Sequence, residues 1–188
     1  EEIKRRETEL GLDLSSAEII DPLHSPKKAL YIERLTELRK AKGMTPEGAE
    51  KLLNQDIYYG PMMIYMGDAD GEVSGAEHST GDTVRPALQI NKTAPGISVV
   101  SGAMVLVTKK PELGHQGVFI CADVAITPNP TAEQLAEIAI CSAETARMIA
   151  GIERPKVAML SFSTKGSAQH ELVDKVTRAT AIAKERRP

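Results

Sequence analysis

Hydrophobic residues recur along the chain at two spacings, one typical of helices and the other of strands. Tyr31, Leu35 and Leu38 recur at the spacing of one helix face, and Gly43 follows at the end of that segment. Hydroxyl residues followed by a proline, an acid or an amide indicate further helix starts. Helices are therefore predicted over 1–10, 27–42, 45–67, 84–90, 131–150 and 168–188, the third of them bent at Gly60-Pro61.

Runs of apolar and β-branched residues predict strands between these helices. The runs over 97–107 and 117–124 are separated by the turn-forming stretch Lys109–Gly114, so they predict a β-hairpin or two neighbouring strands. Three shorter strands are predicted over 17–20, 71–75 and 156–162. Alternating strands and helices indicate an α/β fold with a mostly parallel sheet.

The chain is long enough for two small lobes. Its 188 residues suffice for one ordinary domain or for two α/β lobes that share a cleft. Near Pro95-Gly96, helix-rich sequence gives way to the predicted hairpin. We therefore expect a first lobe over 1–96 and a second over 97–188.

The charge balance argues against a general nucleic-acid binder. Lysine and arginine total 23 against 26 acidic residues, a formal net charge of −3. Neutralising phosphates requires a basic excess, which this chain lacks. With four tyrosines, two phenylalanines and no tryptophan, aromatic platforms for single strands are also scarce.

Membrane, metal and cofactor sites are not expected from the sequence either. No apolar run approaches the roughly 20 residues that span a bilayer, and the charged first residues lack an apolar signal core. We expect a cytoplasmic protein. Cys121 and Cys141 stand in apolar runs without metal-ligand spacing, which favours buried thiols and predicts no metal site.

A hydroxyl-rich loop over 74–86 is the first candidate site. It precedes a predicted helix, whose free backbone N–H groups and positive end suit a phosphate or another oxyanion. The alternative is an ordinary loop with Asp82 or Thr83 as N-cap. The hydroxyl and guanidinium donors of this loop are Ser74, Ser79, Thr80, Thr83 and Arg85, and Asp82 is grouped with them among the predicted substrate-binding residues.

A second loop of the same character follows the strand predicted over 156–162. The carboxyl end of a strand is where α/β sheets place ligands. The loop lacks the Walker A spacing, so it predicts an anion site and not a nucleoside triphosphate site. The alternative is a capped helix start with an exposed lysine. The candidate residues here are Ser163, Thr164, Lys165, Gly166 and Ser167.

Two further residues have an ordinary structural explanation beside a functional one. His78 is an acid–base candidate by residue type, although a single histidine in a polar loop is more often structural. Arg39 belongs to a basic helix end, which complementarity to the helix dipole explains without a ligand.

The two loops together resemble the phosphate acetyltransferase (phosphotransacetylase) family. The matching motifs are the segments 71–79, 82–90 and 155–167, with Glu37-Leu38-Arg39-Lys40 and Lys42-Gly43 in the same order. The resemblance extends over nearly the whole chain, and its two long motifs are specific.

This resemblance implies a two-lobed, three-layer α/β/α fold similar to the isocitrate and isopropylmalate dehydrogenases. It also implies reversible transfer of an acetyl group between coenzyme A and inorganic phosphate, through acetyl phosphate, usually in homodimers. No separate cofactor is implied, since coenzyme A is a substrate. By resemblance, Arg39 and Arg85 match arginines associated with coenzyme A or phosphate, and the Ser163–Ser167 loop faces the cleft.

The chain departs from the family pattern in length. Strand–helix units at the start are absent, and so is a C-terminal segment with a Ser-Arg pair and an Asp. The sequence therefore resembles a fragment, and by resemblance the catalytic residues are expected beyond Pro188.

Three alternatives stay open. A phosphate butyryltransferase would differ in pocket size, which no motif reports. A non-catalytic acetyl-CoA-binding module, as in some malic enzymes, is compatible with the missing segment. A dehydrogenase of the related fold ranks last, because the chain has neither GxGxxG nor an acidic metal cluster.

Overall fold

A computed structural model describes residues 2–164 and 166–188 and divides the chain into two compact units. The first unit ends at Asn91 and the second begins at Lys92. In the described residues, none of the helices has both the length and the apolar content needed to cross a bilayer.

The first unit is helical. Its helices are α1 (Glu2–Leu10), α2 (Lys28–Leu38), α3 (Pro46–Leu53), α4 (Asp56–Met66) and α5 (Thr80–Ile90), with a 3-10 turn at Lys40–Lys42 after α2. Leu35, Leu53 and Met62 are fully buried between α2, α3 and α4, and Ile90 joins them from α5. This core fixes α5, which carries most of the first candidate loop.

Local sequence explains where these helices begin and end. Thr45 accepts a hydrogen bond from the Gly48 N–H and so caps α3, as predicted. Gly43 follows the 3-10 turn at a φ of 77°, in the left-handed region where glycine is favoured. The prediction of a single helix over 45–67 is wrong. The helical conformation is interrupted at Asn54-Gln55, and Pro61 lies inside α4 without ending it.

The second unit pairs a hairpin with two long helices. Strands β1 (Ala103–Val107) and β2 (Val118–Ala122) pair antiparallel and are followed by α6 (Ala132–Met148) and α7 (Glu171–Arg186). The predicted capping box is present: Thr131 caps the Gln134 N–H, and the Gln134 side chain accepts from the Thr131 N–H. Ala136 and Ala179 are fully buried between α6 and α7.

Several strand predictions were wrong. The segments 17–20, 71–75 and 156–162 lie in turns and extended loops, and the strands among the described residues form an antiparallel pair, not a mostly parallel sheet. A strand needs a neighbour for its N–H and C=O groups, and these segments have none in the described part of the chain. Cys121 is exposed, contrary to prediction, because β2 belongs to a two-stranded ribbon with accessible faces.

Candidate functional site

The N-terminus of α5 organises the first candidate loop. Ser79 is the N-cap, in place of the predicted Asp82 or Thr83, and its Oγ accepts a hydrogen bond of 3.2 Å from the Asp82 N–H. Thr80 is therefore the first residue of the helix and is exposed. The helix starts four residues earlier than predicted, so Ser79, Thr80 and Thr83 lie at its N-cap and in its first turn, whereas Ser74 lies in the exposed loop before it.

Hydroxyl and glycine residues hold this turn in shape. The Thr83 hydroxyl donates to the Ser79 carbonyl at 3.1 Å, which leaves the hydroxyl facing back along the helix. Gly75 has a φ of 102°, and a Cβ at this position would lie 3.3 Å from Thr83 Oγ1. A glycine is thus required where the preceding loop passes the first turn of α5.

Asp82 and Arg85 form an ion pair on the surface of α5. Arg85 Nη2 lies 3.2 Å from Asp82 Oδ1, and the two side chains are 60% and 46% exposed. The Ser79 hydroxyl donates to Asp82 Oδ2 at 2.7 Å. That hydrogen bond lowers the pKa of Asp82, and the nearby Arg85 and His78 lower it further. The Ser79 and Arg85 donors proposed for an anion therefore face an internal carboxylate.

Arg39 lies at the opposite end of α5 from this carboxylate. It follows α2 as its C-cap, and its Nη1 donates to the Gln89 carbonyl at 3.3 Å. Gln89 is ten residues beyond Ser79, or about 15 Å along a helix. Arg39 is half-buried, and its Nε is buried without a hydrogen-bond partner among the described residues. The structure thus ties Arg39 to α5 without bringing it to Ser79.

The second loop folds upon itself. Ser167 Oγ accepts from the Thr164 N–H at 3.0 Å, and Ser163 Oγ accepts from the Ala168 N–H at 3.1 Å. The two serine hydroxyls lie 3.3 Å apart, and Gly166 has a left-handed φ of 86°. Lys165 lies outside the described residues. Within the described part, these hydroxyl groups serve as acceptors for the loop's own backbone.

The second loop also lies farther from its helix than the sequence predicts. Helix α7 begins at Glu171 and not near Ala168, and its N-cap is His170, whose Nδ1 accepts from the Leu172 N–H at 3.1 Å. The ring of His170 meets Phe162 edge-on, with centroids 5.5 Å apart. Histidine is an uncommon N-cap, and sequence reasoning missed it because capping preferences favour Ser, Thr, Asp and Asn.

Two further carboxylates were missed by sequence reasoning. Asp123 accepts four backbone hydrogen bonds, from Gly102, Ala125, Ile126 and Thr127. Glu137 on α6 is 6% exposed and accepts from the Val99 N–H at 2.9 Å and from Ser98. Both organise the loops around the hairpin. Sequence patterns gave no signal for either residue, because Asp123 lies inside the strand predicted over 117–124 and Glu137 lies inside the helix predicted over 131–150.

Comparison with known proteins identifies the class of protein to which this chain belongs. A model of the phosphate acetyl/butaryl transferase family matches residues 1–188. Two solved structures superpose closely: EutD phosphotransacetylase from Staphylococcus aureus, with a TM-score of 0.83 and 47% identity, and a phosphotransacetylase from Streptococcus pyogenes, with a TM-score of 0.85 and 48% identity. They cover 98% and 97% of this chain, which confirms the α/β fold class.

The curated relatives agree with the structural ones. A phosphate acetyltransferase of Clostridium acetobutylicum is 52% identical over 99% of this chain, and one of Thermoanaerobacterium thermosaccharolyticum is 56% identical over 93%. The chain therefore belongs to the phosphate acetyl/butaryl transferase family. It spans about half the length of these relatives, 56% and 53%.

Proposed function

We propose that the protein containing this chain transfers an acetyl group reversibly between coenzyme A and inorganic phosphate. The observation that carries the proposal is the 52% identity to a phosphate acetyltransferase over 99% of the chain. Both substrates and the product acetyl phosphate bear phosphate groups. Hydroxyl groups and an arginine at the start of α5 are suited to such anions.

The reaction is a direct acyl transfer. The coenzyme A thiolate attacks the carbonyl carbon of acetyl phosphate, the new S–C bond forms, and the C–O bond to phosphate breaks as phosphate leaves. A base takes the thiol proton, since the thiolate is the nucleophile. Hydrogen-bond donors stabilise the oxyanion of the tetrahedral intermediate. We assign neither the base nor those donors to a residue of this chain.

The role of this chain in the proposal is to hold anions. In the first unit, Arg85 supplies a guanidinium that can bind two phosphate oxygens, and Ser79, Thr80 and Thr83 supply hydroxyl groups. Arg39 is proposed to bind a phosphate-bearing substrate from the other end of α5. In the second unit, the proposed ligand-binding residues are Ser163, Thr164, Lys165, Gly166 and Ser167.

The surroundings of the reaction are proposed on the same grounds. Coenzyme A is a substrate, and the proposed transfer needs no cofactor or metal. The acidic balance of charge, with 26 acidic against 23 basic residues, disfavours nucleic acid as a partner. We propose a cytoplasmic homodimer that does not associate with membranes.

The test is thioester formation from acetyl phosphate and coenzyme A by the full-length protein. We expect acetyl-CoA to accumulate, and to accumulate faster than butyryl-CoA from butyryl phosphate. A preference for butyryl phosphate would assign the protein to phosphate butyryltransferases instead. Tight acetyl-CoA binding without turnover would indicate a regulatory module, and no binding of either substrate would refute the proposal.

Lys165→Ala tests the second loop separately. We expect weaker binding of coenzyme A or acetyl phosphate, because the variant removes a cation from a loop rich in hydroxyl groups. The control is Lys175→Ala, which removes a lysine that bonds Asn129 at 2.7 Å instead. Equal affinities of Lys165→Ala and the unmodified protein would reduce the loop to a structural turn.

A further inference from the structure

Asp82 occupies the groups that the proposed function assigns to an anionic substrate. Its Oδ2 accepts the Ser79 hydroxyl at 2.7 Å, and its Oδ1 lies 3.2 Å from Arg85 Nη2. One carboxylate thus engages both a hydroxyl and a guanidinium at the first turn of α5. A phosphate oxygen bound by Arg85 and Ser79 would use the same hydrogen-bond donors.

The fold does not depend on this ion pair. The cap of α5 is the hydrogen bond from the Asp82 backbone N–H to Ser79 Oγ, which any residue except proline would donate at position 82. Both charged side chains are about half exposed, so water and salt screen their attraction. Such a pair can open at small cost. Asp123, by contrast, is held by four backbone N–H groups.

Charge explains what happens when an anion arrives. A carboxylate next to Arg85 repels phosphate, so the anion binds only as Asp82 leaves the guanidinium. Every anion that binds to Arg85 must therefore displace Asp82 and loses the same amount of binding free energy.

We propose that Asp82 is an internal competitor that must be displaced from Arg85 and Ser79 before a phosphate-bearing substrate binds, and that it keeps anion affinity low. The inference rests on the proposed function, because that function is what assigns Arg85 and Ser79 to the substrate. It alters the prediction from sequence, which grouped Asp82 with the binding residues. Asp82 is here a positioning residue that acts through Arg85.

The test is Asp82→Asn in the full-length protein, with inorganic phosphate, sulfate and nitrate titrated by calorimetry. Asparagine keeps the size of the side chain and an oxygen acceptor for Ser79, but it removes the charge. We expect dissociation constants for all three anions to fall by a common factor of about two to five. The KM for acetyl phosphate falls with them, whereas kcat does not rise. Glu77→Gln is the matched control, since it removes an exposed acid from the same loop.

The double variant Asp82→Asn/Arg85→Ala identifies the route of the effect. Without Arg85, Asp82 no longer occupies a guanidinium that an anion would bind. Adding Asp82→Asn to Arg85→Ala should therefore change anion affinity by less than about twofold. If Asp82→Asn does not fold, as judged by circular dichroism, Asp82→Ser takes its place with the same expectation.

Several results would overturn the inference. These are unchanged or weaker anion binding in the position-82 variant, an equal gain in Glu77→Gln, and a full gain in the Arg85→Ala background. A larger gain for sulfate than for nitrate would show a carboxylate that stays and repels instead of being displaced. Calorimetry needs no turnover. It therefore tests the displacement of Asp82 even if the unmodified protein forms no thioester and the proposed function fails.

Discussion

Asp82 in the first unit and Asp123 in the second are both carboxylates that accept hydrogen bonds, but their partners differ in kind. Asp123 accepts four backbone N–H groups, at distances from 2.6 to 3.1 Å. Asp82 accepts a hydroxyl at 2.7 Å and faces an exposed arginine at 3.2 Å. Backbone donors are fixed by the fold, whereas a serine hydroxyl and an arginine can turn to another acceptor.

This difference separates a structural anion from an exchangeable one. Partial burial raises the pKa of Asp123, but the four backbone hydrogen bonds outweigh it and lower the pKa to about 2. Its carboxylate joins the start of β1 to the turn after β2. Asp82 joins only residues of the first turn of α5, so a ligand can take its place without disturbing the fold.

The largest expected effect is on stability, from Asp123→Asn. An amide supplies one oxygen and turns an NH₂ donor toward a backbone donor, so at least one N–H loses its acceptor. We expect the free energy of unfolding of the second unit to fall by about 2–4 kcal/mol. Asp82→Asn, the matched variant of the first unit, should cost less than about 1 kcal/mol, the helix-dipole contribution. Urea denaturation of both variants, with amide exchange at Thr127, whose N–H bonds to Oδ2 while the other three bond to Oδ1, measures the difference.

Equal losses in the two variants would show that Asp82 is as structural as Asp123. A negligible loss in Asp123→Asn would show that the turn after β2 keeps its shape without the carboxylate.

Acid should separate the two carboxylates in the same way. The pKa of Asp123 is lowered in the folded state to about 2, so its stabilisation is complete above the unfolded value of about 3.9 and is lost as pH falls toward 2. Amide protection at Gly102 and Thr127 should therefore decline between about pH 4 and pH 2. In Asp123→Asn this decline should be absent at those amides. An unchanged acid profile in the variant would assign the transition to other groups, such as Glu137, whose pKa is also lowered by hydrogen bonds against the effect of burial.

Arg85→Ala tests the exchangeable side of the comparison. Removing the guanidinium should raise the KM for acetyl phosphate or coenzyme A about tenfold, which corresponds to about 1.4 kcal/mol. Arg34→Ala is a close control, because Arg34 is also about half exposed and pairs with an acid three residues away, Glu37. Initial rates at varied substrate measure both. Unchanged kinetics in Arg85→Ala would remove this residue from the site.

Sequence patterns predicted the helices of the molecule far better than its strands. The capped helix starts at Thr45 and Thr131 follow from local hydrogen bonds, so a short stretch of sequence contains the information. Strands depend on distant partners. The hairpin of β1 and β2 was predictable because its partner is adjacent, whereas the apolar segment 156–162 has no partner among the described residues.

The sequence identified candidate residues for the site, but it could not predict their geometry. The hydroxyl and arginine residues around Ser79 were identified from the loop sequence, and Ser79 does lie at a helix start. Composition could not show that Asp82 faces Arg85 or that Arg39 bonds the far end of α5, since both depend on where the helix begins and packs. The serines of the second loop likewise bond to their own backbone, which a list of donors does not reveal.

The smallest expected effect comes from removing the N-cap of α5, Ser79. Ser79→Ala removes the acceptor of the Asp82 N–H and should destabilise the first unit by about 1 kcal/mol, while Thr131→Ala should destabilise the second unit by a similar amount.

Only Ser79→Ala should also change anion binding. It removes a donor to the ligand, which weakens binding, and a donor to Asp82, which frees Arg85, so the two effects partly cancel and the net change should stay within about threefold. Urea denaturation and phosphate calorimetry on both variants measure this. A loss of anion affinity well beyond threefold would show that Ser79 binds the ligand more strongly than it binds Asp82, and a change of similar size in Thr131→Ala would trace the effect to stability alone.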